Sequence, residues 1–520
     1  MLQPLLLCFL CQLVHLTTPF RVEPIFSGMH RMLALALLLV SAGRLPARGY
    51  YQLSPLVRTT YQQVTSLQKQ EALQSIARLK RSEPGNLMVY HLENYLDFFE
   101  IYISENESVY RSRLANRDRR LLAIAGGEPR SPYHLYVQAE IRLHWALLRF
   151  KFGDYWAAFT DINQAYRLLQ RNQSRFPDFI GNLKDLGILH AAVGTVPDEY
   201  RWALQLVSSL DGTVGQGKRE IESLLAQTRA TDYLYLQETS VLYAFLLLHL
   251  DNRPELAWQA ISNAGLNPAA NPLHCFVMAN IAMRTGRNDQ ALQWLRQRPA
   301  GSQFIPFPFL HYMTGLAKLR RLDTSAAADF LLFIRLGRGR HYIKETYQKL
   351  GWCELLLGNP TGYRQYMQLV KSQGYDSAGG DKNALREAEQ ATVPQLMLLE
   401  ARLLFDGGYY ARAESKLAEI DKEDLSSDDQ LEFTYRRGRV LQGLQRWEEA
   451  LRLYDEVIAV GAKHPASFAC NAALQAGLIH EQRGRPAAAR GYYNHCLRIH
   501  PFDHATALHQ QAKAGLSRLQ

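Results

Sequence analysis

Cysteine is scarce in this chain, with six in 520 residues. Cys8 and Cys11 fall in an N-terminal leader, so Cys275, Cys353, Cys470 and Cys496 remain, too widely spread for a disulfide framework. Cys470 and Cys496 stand at the start and end of one expected helical hairpin. They read as buried small hydrophobes, because helix axes about 8 to 10 Å apart leave many such pairs too distant to join, while a bridge stays open in an exported protein. Long apolar runs are also missing. Leu33 to Val40 is a run of eight, well short of the roughly 20 residues a bilayer-spanning helix needs. With His30 and Arg31 before it and Ser41, Ala42 and Gly43 behind, it reads as a secretory signal. Translation would then begin at Met29 or Met32, with cleavage after Ala42 or Gly49; Arg44 stands where a lipoprotein needs cysteine. No stretch shows convincing strand alternation, and there is no long low-complexity linker. Beyond the leader, where Cys8 and Cys11 have that spacing, no nucleophile elbow, HExxH or Cys-x-x-Cys pattern occurs, so no catalytic residue, metal or cofactor is expected.

Two stretches imitate chemistry. Gly212 to Lys218, GTVGQGK, has the glycine and lysine spacing of a phosphate-binding loop, but Arg219 follows where magnesium needs Ser or Thr. The preceding YRWALQLVSSL has helical rather than strand spacing, so the reading is a glycine-rich turn with Gly217 starting a helix and Lys218 solvated. His495, His500, His504 and His509 crowd the C-terminus, yet Pro501 interrupts the one i, i+4 pair and the next step turns to another face, so they read as solvated.

What is present is a repeat. Phe468 to Pro501 reads FACNAALQAGLIHEQRGRPAAARGYYNHCLRIHP, with small residues at Gly477, Gly484, Ala489 and Cys496, an aromatic at Tyr493 and a terminating Pro501. That is the spacing of a tetratricopeptide (TPR) helix-turn-helix unit. Gly477 and Ala489 let two helices approach, Gly484 makes the turn, and Tyr493 fills the seam to the next unit. Related spacing recurs at Gly153 and Ala158, Ala257, Gly286 and Ala291, Gly315 and Ala327, Gly351 and Gly358, Gly408 and Ala413, and Gly438 and Ala450. One unit cannot bury its own apolar face, so the pattern predicts an all-α, right-handed, elongated TPR-type α-solenoid of about eight hairpins. The expected organisation is a leader over 1–49, a helical capping region over 50–131, and a solenoid over 132–520. An irregular insert around 176–224 and loose connections at Gln373 to Lys382 and Asp421 to Asp429 interrupt it.

The stretches ENYLDFFEIYISEN, SPYHLYVQAEIRLHWALLRFKFGDYWAAF, RFPDFIGNLKDLGILHAAVGTVPDEYRW, FLHYMTGLAKLRRLD, LLEARLLFDGGYY and NAALQAGLIHEQRG carry a resemblance over nearly everything after the leader. The chain resembles uncharacterised exported TPR proteins of the Bacteroidota envelope. That resemblance implies export and a solenoid, and it assigns no substrate or catalytic residue. VGTVPDEYRWALQLVSSLDGTVGQGKREIESLL is also similar to a segment of a eukaryotic TPR family tied to the mitochondrial outer membrane and lipid droplets.

Net charge is +10, and 45 of the 59 basic residues are arginine. Basic runs at Arg111, Arg113, Arg117, Arg119 and Arg120, and from Lys318 through Arg320, Arg321, Arg335, Arg338 and Arg340 to Lys344, read as solvated helix ends; the sharper reading is attraction to anionic envelope lipids or an acidic partner. An exported chain does not meet nucleic acid. In a TPR stack the first helix of each unit lines the concave face, which places Tyr312, Trp352, Arg402, Tyr435, Arg439 and Asn471 there, the two arginines able to fork onto a carboxylate. The expected function is a non-enzymatic scaffold holding a protein or peptide partner in the periplasm or at the envelope. The alternative is an enzyme or enzyme-associated subunit with its site in the 176–224 insert, which offers Asp178, Lys184, Asp185, His190, Asp198 and Glu199.

Overall fold

The computed structural model describes residues 48–196, 208–376, 378–390, 392–502 and 504–519. The signal segment, both alternative starts, Cys8, Cys11, Asp198 and Glu199 lie outside these. Among the described residues there are 24 α-helices and no strands beyond isolated bridges. They stack as an α-solenoid of eleven helical pairs and two single helices, Gly379–Gln390 and Ala505–Arg518. The eight expected pairs are present. The three additional ones are Pro55–Thr65 with Lys69–Ser82, Met88–Ser104 with Glu107–Ala125, and Asn182–Val193 with Val214–Thr228. The first two of these turn at Leu67 and Glu105, whereas five of the eight expected pairs turn at a glycine, and the third is joined by a long connection.

That turn recurs in one backbone form. Gly153, Gly286, Gly358, Gly408 and Gly484 have φ between 67° and 88°, and Asn252, Leu322 and Gln445 occupy the same place in their hairpins at φ 54°, 64° and 61°. In most of them the next residue donates its N–H to the carbonyl five residues back, as Arg287 to Ala282, Asn359 to Glu354, Arg446 to Leu441 and Arg485 to His480. This is the Schellman closure, which satisfies carbonyls the helix end leaves open and requires a left-handed residue. From Asn252 the turns advance by 34, 36, 36, 50, 37 and 39 residues. The long step holds the unpaired helix Gly379–Gln390, where the sequence suggested only a loose connection.

Within a pair, a small residue on the first helix receives a large one from the second. A Cβ on Gly477 would stand 2.6 Å from the Tyr493 ring, and one on Gly438 would stand 2.8 Å from Tyr454. Gly315 faces Phe330 in the same way, and Gly351 faces Met367 and Tyr363. Tyr493 also presses on Gly515 of the terminal helix, so it fills the seam to the next element as its spacing implies. Cys470 and Cys496 are free, fully buried thiols whose sulfurs lie 3.5 Å apart, so the expected separation of helices does not keep them distant.

The stack is not simply elongated, because successive turns of the superhelix touch. Lys69 N–H donates to Gln303 and Ile305 N–H to Leu67. Glu105 pairs with His341 at 2.9 Å, Arg253 with Glu481 at 3.1 Å, and Gln510 Nε2 donates to the Thr195 carbonyl at 3.2 Å. Hairpins about six places apart in the chain are therefore neighbours in space.

The phosphate-loop imitation has a packing explanation. Thr213 caps the helix Val214–Thr228 by accepting from Gln216 N–H at 3.0 Å, so the helix begins before Gly217. Gly217 instead lies against Gly187 and Ala191 of the partner helix, where any Cβ would collide with backbone. Lys218 is not merely solvated, since its Nζ is 3.5 Å from Asp251 Oδ2.

Candidate functional site

Helices Leu396–Asp406, Ser427–Gly443 and Phe468–Gln482 are the first members of successive pairs and carry Arg402, Arg439 and Asn471, all partly exposed. The Arg402 guanidinium stacks 5.1 Å over Trp352, and that of Arg439 stacks 4.8 Å over Phe405. Each arginine thus lies on a ring from the preceding pair, a stepped ladder in which the planar cation covers an aromatic face. Arg439 Nη1 donates to the Tyr435 hydroxyl at 3.0 Å, while its buried Nε has no hydrogen-bond partner among the described residues. Burial works against the Arg439 charge, but Tyr435, Tyr454 and Asp406 outweigh it and raise its pKa. Neither arginine makes an ion pair with a carboxylate among the described residues. Asn471 accepts from Gln475 Nε2 at 3.1 Å, and Gln475 accepts in turn from Gln442.

Three of the expected groove residues are core instead. Tyr312, Trp352 and Tyr435 are only 3%, 2% and 6% exposed. Tyr312 lies in an aromatic cluster with Phe309, Phe330, Phe333 and Tyr342. Trp352 is covered because the unpaired helix Gly379–Gln390 packs across its hairpin, and Glu387 on that helix accepts the indole N–H at 2.8 Å. Lys349 Nζ sits 3.6 Å over the other side of that ring, its pKa brought down to about 8 chiefly by burial. Tyr435 packs on Phe468.

The basic runs are largely consumed inside the chain. Arg113 and Arg120 bind Asp97 at 2.8 and 2.7 Å, and Arg117, Arg142 and Arg149 converge on fully buried Asp161. Lys318 pairs with Asp329 at 2.6 Å, and Lys344 Nζ donates to the Val370 carbonyl at 2.6 Å. Arg111, Arg119, Arg335 and Arg338 stay exposed.

In the insert, Asp178 is exposed, whereas Lys184, Asp185 and His190 are buried. His190 Nδ1 lies 2.6 Å from Glu220, and its Nε2 lies 3.2 Å from the Tyr166 hydroxyl. Lys184 enters a cluster that sequence reading missed. Its Nζ is 3.0 Å from Glu140 and 2.5 Å from Glu238, with Asp185 at 3.7 Å. Burial alone would discharge this lysine, but Asp185, Glu140 and Glu238 raise its pKa well above the usual value. Glu140 is held well below the carboxylate range against burial, mainly by Lys184, whereas burial and the Glu140 charge push Asp185 up. The available signal was charge embedded among apolar residues, Glu140 in YVQAEIRLHW and Lys184 in FIGNLKDLGIL.

Set beside known proteins, residues 430–501 match the tetratricopeptide repeat family profile. The class is thus an α-solenoid of helical hairpins that carries tetratricopeptide repeats toward its C-terminus. Three solved structures are similar to this chain at low overall superposition. The TPR domain of P58(IPK) is 14% identical over 82% of this chain and 97% of its own, with a TM-score of 0.21. Naa15/Naa10 bound to HypK-THB gives 11% identity over 87% and 64%, with a TM-score of 0.25. The APC/C hetero-tetramer Cut9–Hcn1 gives 12% over 90% and 96%, with a TM-score of 0.20. No curated protein matches the sequence.

Proposed function

We propose that this chain is a non-enzymatic scaffold, exported to the periplasm or cell envelope, that holds a protein or peptide partner against the Arg402 and Arg439 ladder. The carrying observation is that two guanidiniums on successive first helices are stacked on rings and make no close ion pair among the described residues, Asp406 and Glu432 acting on them only at longer range. A stacked arginine is pre-oriented and, even with Arg439 Nη1 engaged by Tyr435, retains N–H donors that suit an acidic side chain or a peptide C-terminal carboxylate. TPR stacks commonly bind peptides this way, and the matched repeats over 430–501 include Arg439 and Asn471. Two charge-assisted contacts at roughly 1.5 to 3 kcal/mol each make a double substitution worth two orders of magnitude or more in affinity. The test is fluorescence titration with acidic peptides bearing free or amidated C-termini, on wild type and on Arg402→Ala with Arg439→Ala. Tight binding of the free-carboxylate peptide that the folded double variant loses supports the reading; equal binding by both proteins defeats it. Export is tested separately by fusing residues 29–60 to a reporter active only outside the cytoplasm, where silence removes the envelope assignment.

A further inference from the structure

The contact between turns of the superhelix encloses a chamber of about 510 Å³ in the N-terminal half. Its walls come from helices Pro55–Thr65, Met88–Ser104, Tyr133–Lys151, Leu236–His249 and Pro272–Arg284, so elements far apart in the chain meet around it. That volume lies within the range of small-molecule sites, about 300 to 1,000 Å³. The lining is dominated by rings, among them Tyr61, Tyr95, Phe98, Phe245, Phe276 and Phe307.

Net charge at the polar end is negative. Glu238 lines the chamber, its side chain 23% exposed. Its Oε1 rests on Lys184, and its Oε2 lies 2.7 Å from the Tyr61 hydroxyl and 2.8 Å from that of Tyr95. Lys184 itself is fully buried and shared with Glu140, so one cation faces two carboxylates. The one lining arginine, Arg58, is held by Asp232 at 3.1 Å. His144 and His274 also line the space, and burial brings both to about 4, so they are neutral at pH 7. The Tyr233 hydroxyl on the wall is buried without a hydrogen-bond partner among the described residues. In a chain of net charge +10, this is a local excess of negative charge ringed by aromatic faces.

We propose that the chamber is a binding site for a small amphiphilic cation, an organic amine or quaternary ammonium whose apolar body fills the aromatic space while its head lies beside Glu238. Aromatic faces carry negative potential and attract cations, more strongly where water is excluded. A carboxylate head would instead meet the Glu238 charge at close range in a poorly solvated space. The proposal is independent of the arginine ladder, which lies on other helices and carries the opposite charge.

The test uses the full chain and three probes of equal chain length, octyltrimethylammonium, octanol and octanoate, each below its micelle-forming concentration. Titration calorimetry is run on wild type, Glu238→Gln and Val241→Trp, the last placing an indole into the chamber wall. The expected result is octyltrimethylammonium binding roughly tenfold or more tighter than octanol, with octanoate weakest. Glu238→Gln should bring the cation down to the alcohol's affinity, and Val241→Trp should remove binding of all three. Equal affinity for cation and alcohol in wild type, preference for octanoate, or no binding of any probe each overturns the proposal, whether or not the variants fold.

Discussion

The hairpins before His249 and those after Ser426 are built on the same helical pairing but bury different chemistry. The C-terminal pairs enclose Ala469, Cys470, Ala472, Ala473 and Ala476 around Tyr454 and Tyr493, every one at most 1% exposed. The N-terminal pairs bury Asp97, Glu105, Glu140, Lys151, Asp161 and Lys184 at 8% exposure or less, each in an ion pair. A small residue facing an aromatic knob suits a unit that meets only its neighbours, because the same fit can be repeated. Buried charge adds little net stability but tolerates few wrong partners, since a mispaired ion stays uncompensated. Part of the charged interior lies where nonadjacent hairpins must find one another, as where Glu105 joins His341, while Lys184 joins Glu238 of the next hairpin.

This contrast breaks most sharply at Lys184. Lys184→Met leaves Glu140 and Glu238 facing each other without their cation and should cost about 3 to 5 kcal/mol, read by urea unfolding under circular dichroism. Adding Glu140→Gln and Glu238→Gln to that variant should recover much of the loss; a loss below about 1 kcal/mol in the single variant would mean the cluster does not organise the N-terminal half.

Acid should weaken the same half next. His144 accepts from Asn94 through Nδ1 at 2.9 Å, and its folded pKa is lowered by burial to about 4. Between about pH 6.5 and 4 the unfolded chain therefore binds a proton that the folded chain refuses, so stability falls as pH drops through that window. The contribution is on the order of 3 kcal/mol, and melting from pH 7 to 4 should show a shallower decline in His144→Gln.

In the C-terminal repeats the sensitive position is small rather than charged. Gly477→Ala drives a methyl into the Tyr493 ring, which also has Gly515 behind it, and should cost about 1 to 3 kcal/mol with no dependence on salt. If the cost is negligible, the helices are less tightly meshed than the glycine contacts imply. The smallest effect should be a gain. Gln445→Gly relieves left-handed strain at an exposed position of the repeated turn and should raise stability by up to about 1 kcal/mol, visible as a higher Tm.

Much of the C-terminal half was legible from spacing. Gly477, Gly484, Ala489 and Tyr493 act where their positions suggest, because a TPR hairpin is closed by contacts within some 34 residues and leaves a local imprint. The groove was legible only in part. Arg402, Arg439 and Asn471 remain accessible, but Trp352 was taken up by Glu387 on a helix whose stretch, around QGYDSAGGDK, looked like a loop. The Lys184 cluster left almost no trace, since Glu140 and Glu238 are 44 and 54 positions away and no period links them.

The sequence by itself determined an all-helical chain of paired helices, the place of each glycine turn and the knobs that fill the seams, because these depend on residues one hairpin apart. Only the tertiary structure decided which turns of the superhelix touch. That choice brings Tyr61 to Glu238 and so forms the aromatic chamber between them. The physical reason is that local periodicity specifies which face of a helix is apolar, whereas the rise and rotation accumulated over several hairpins set what that face finally meets.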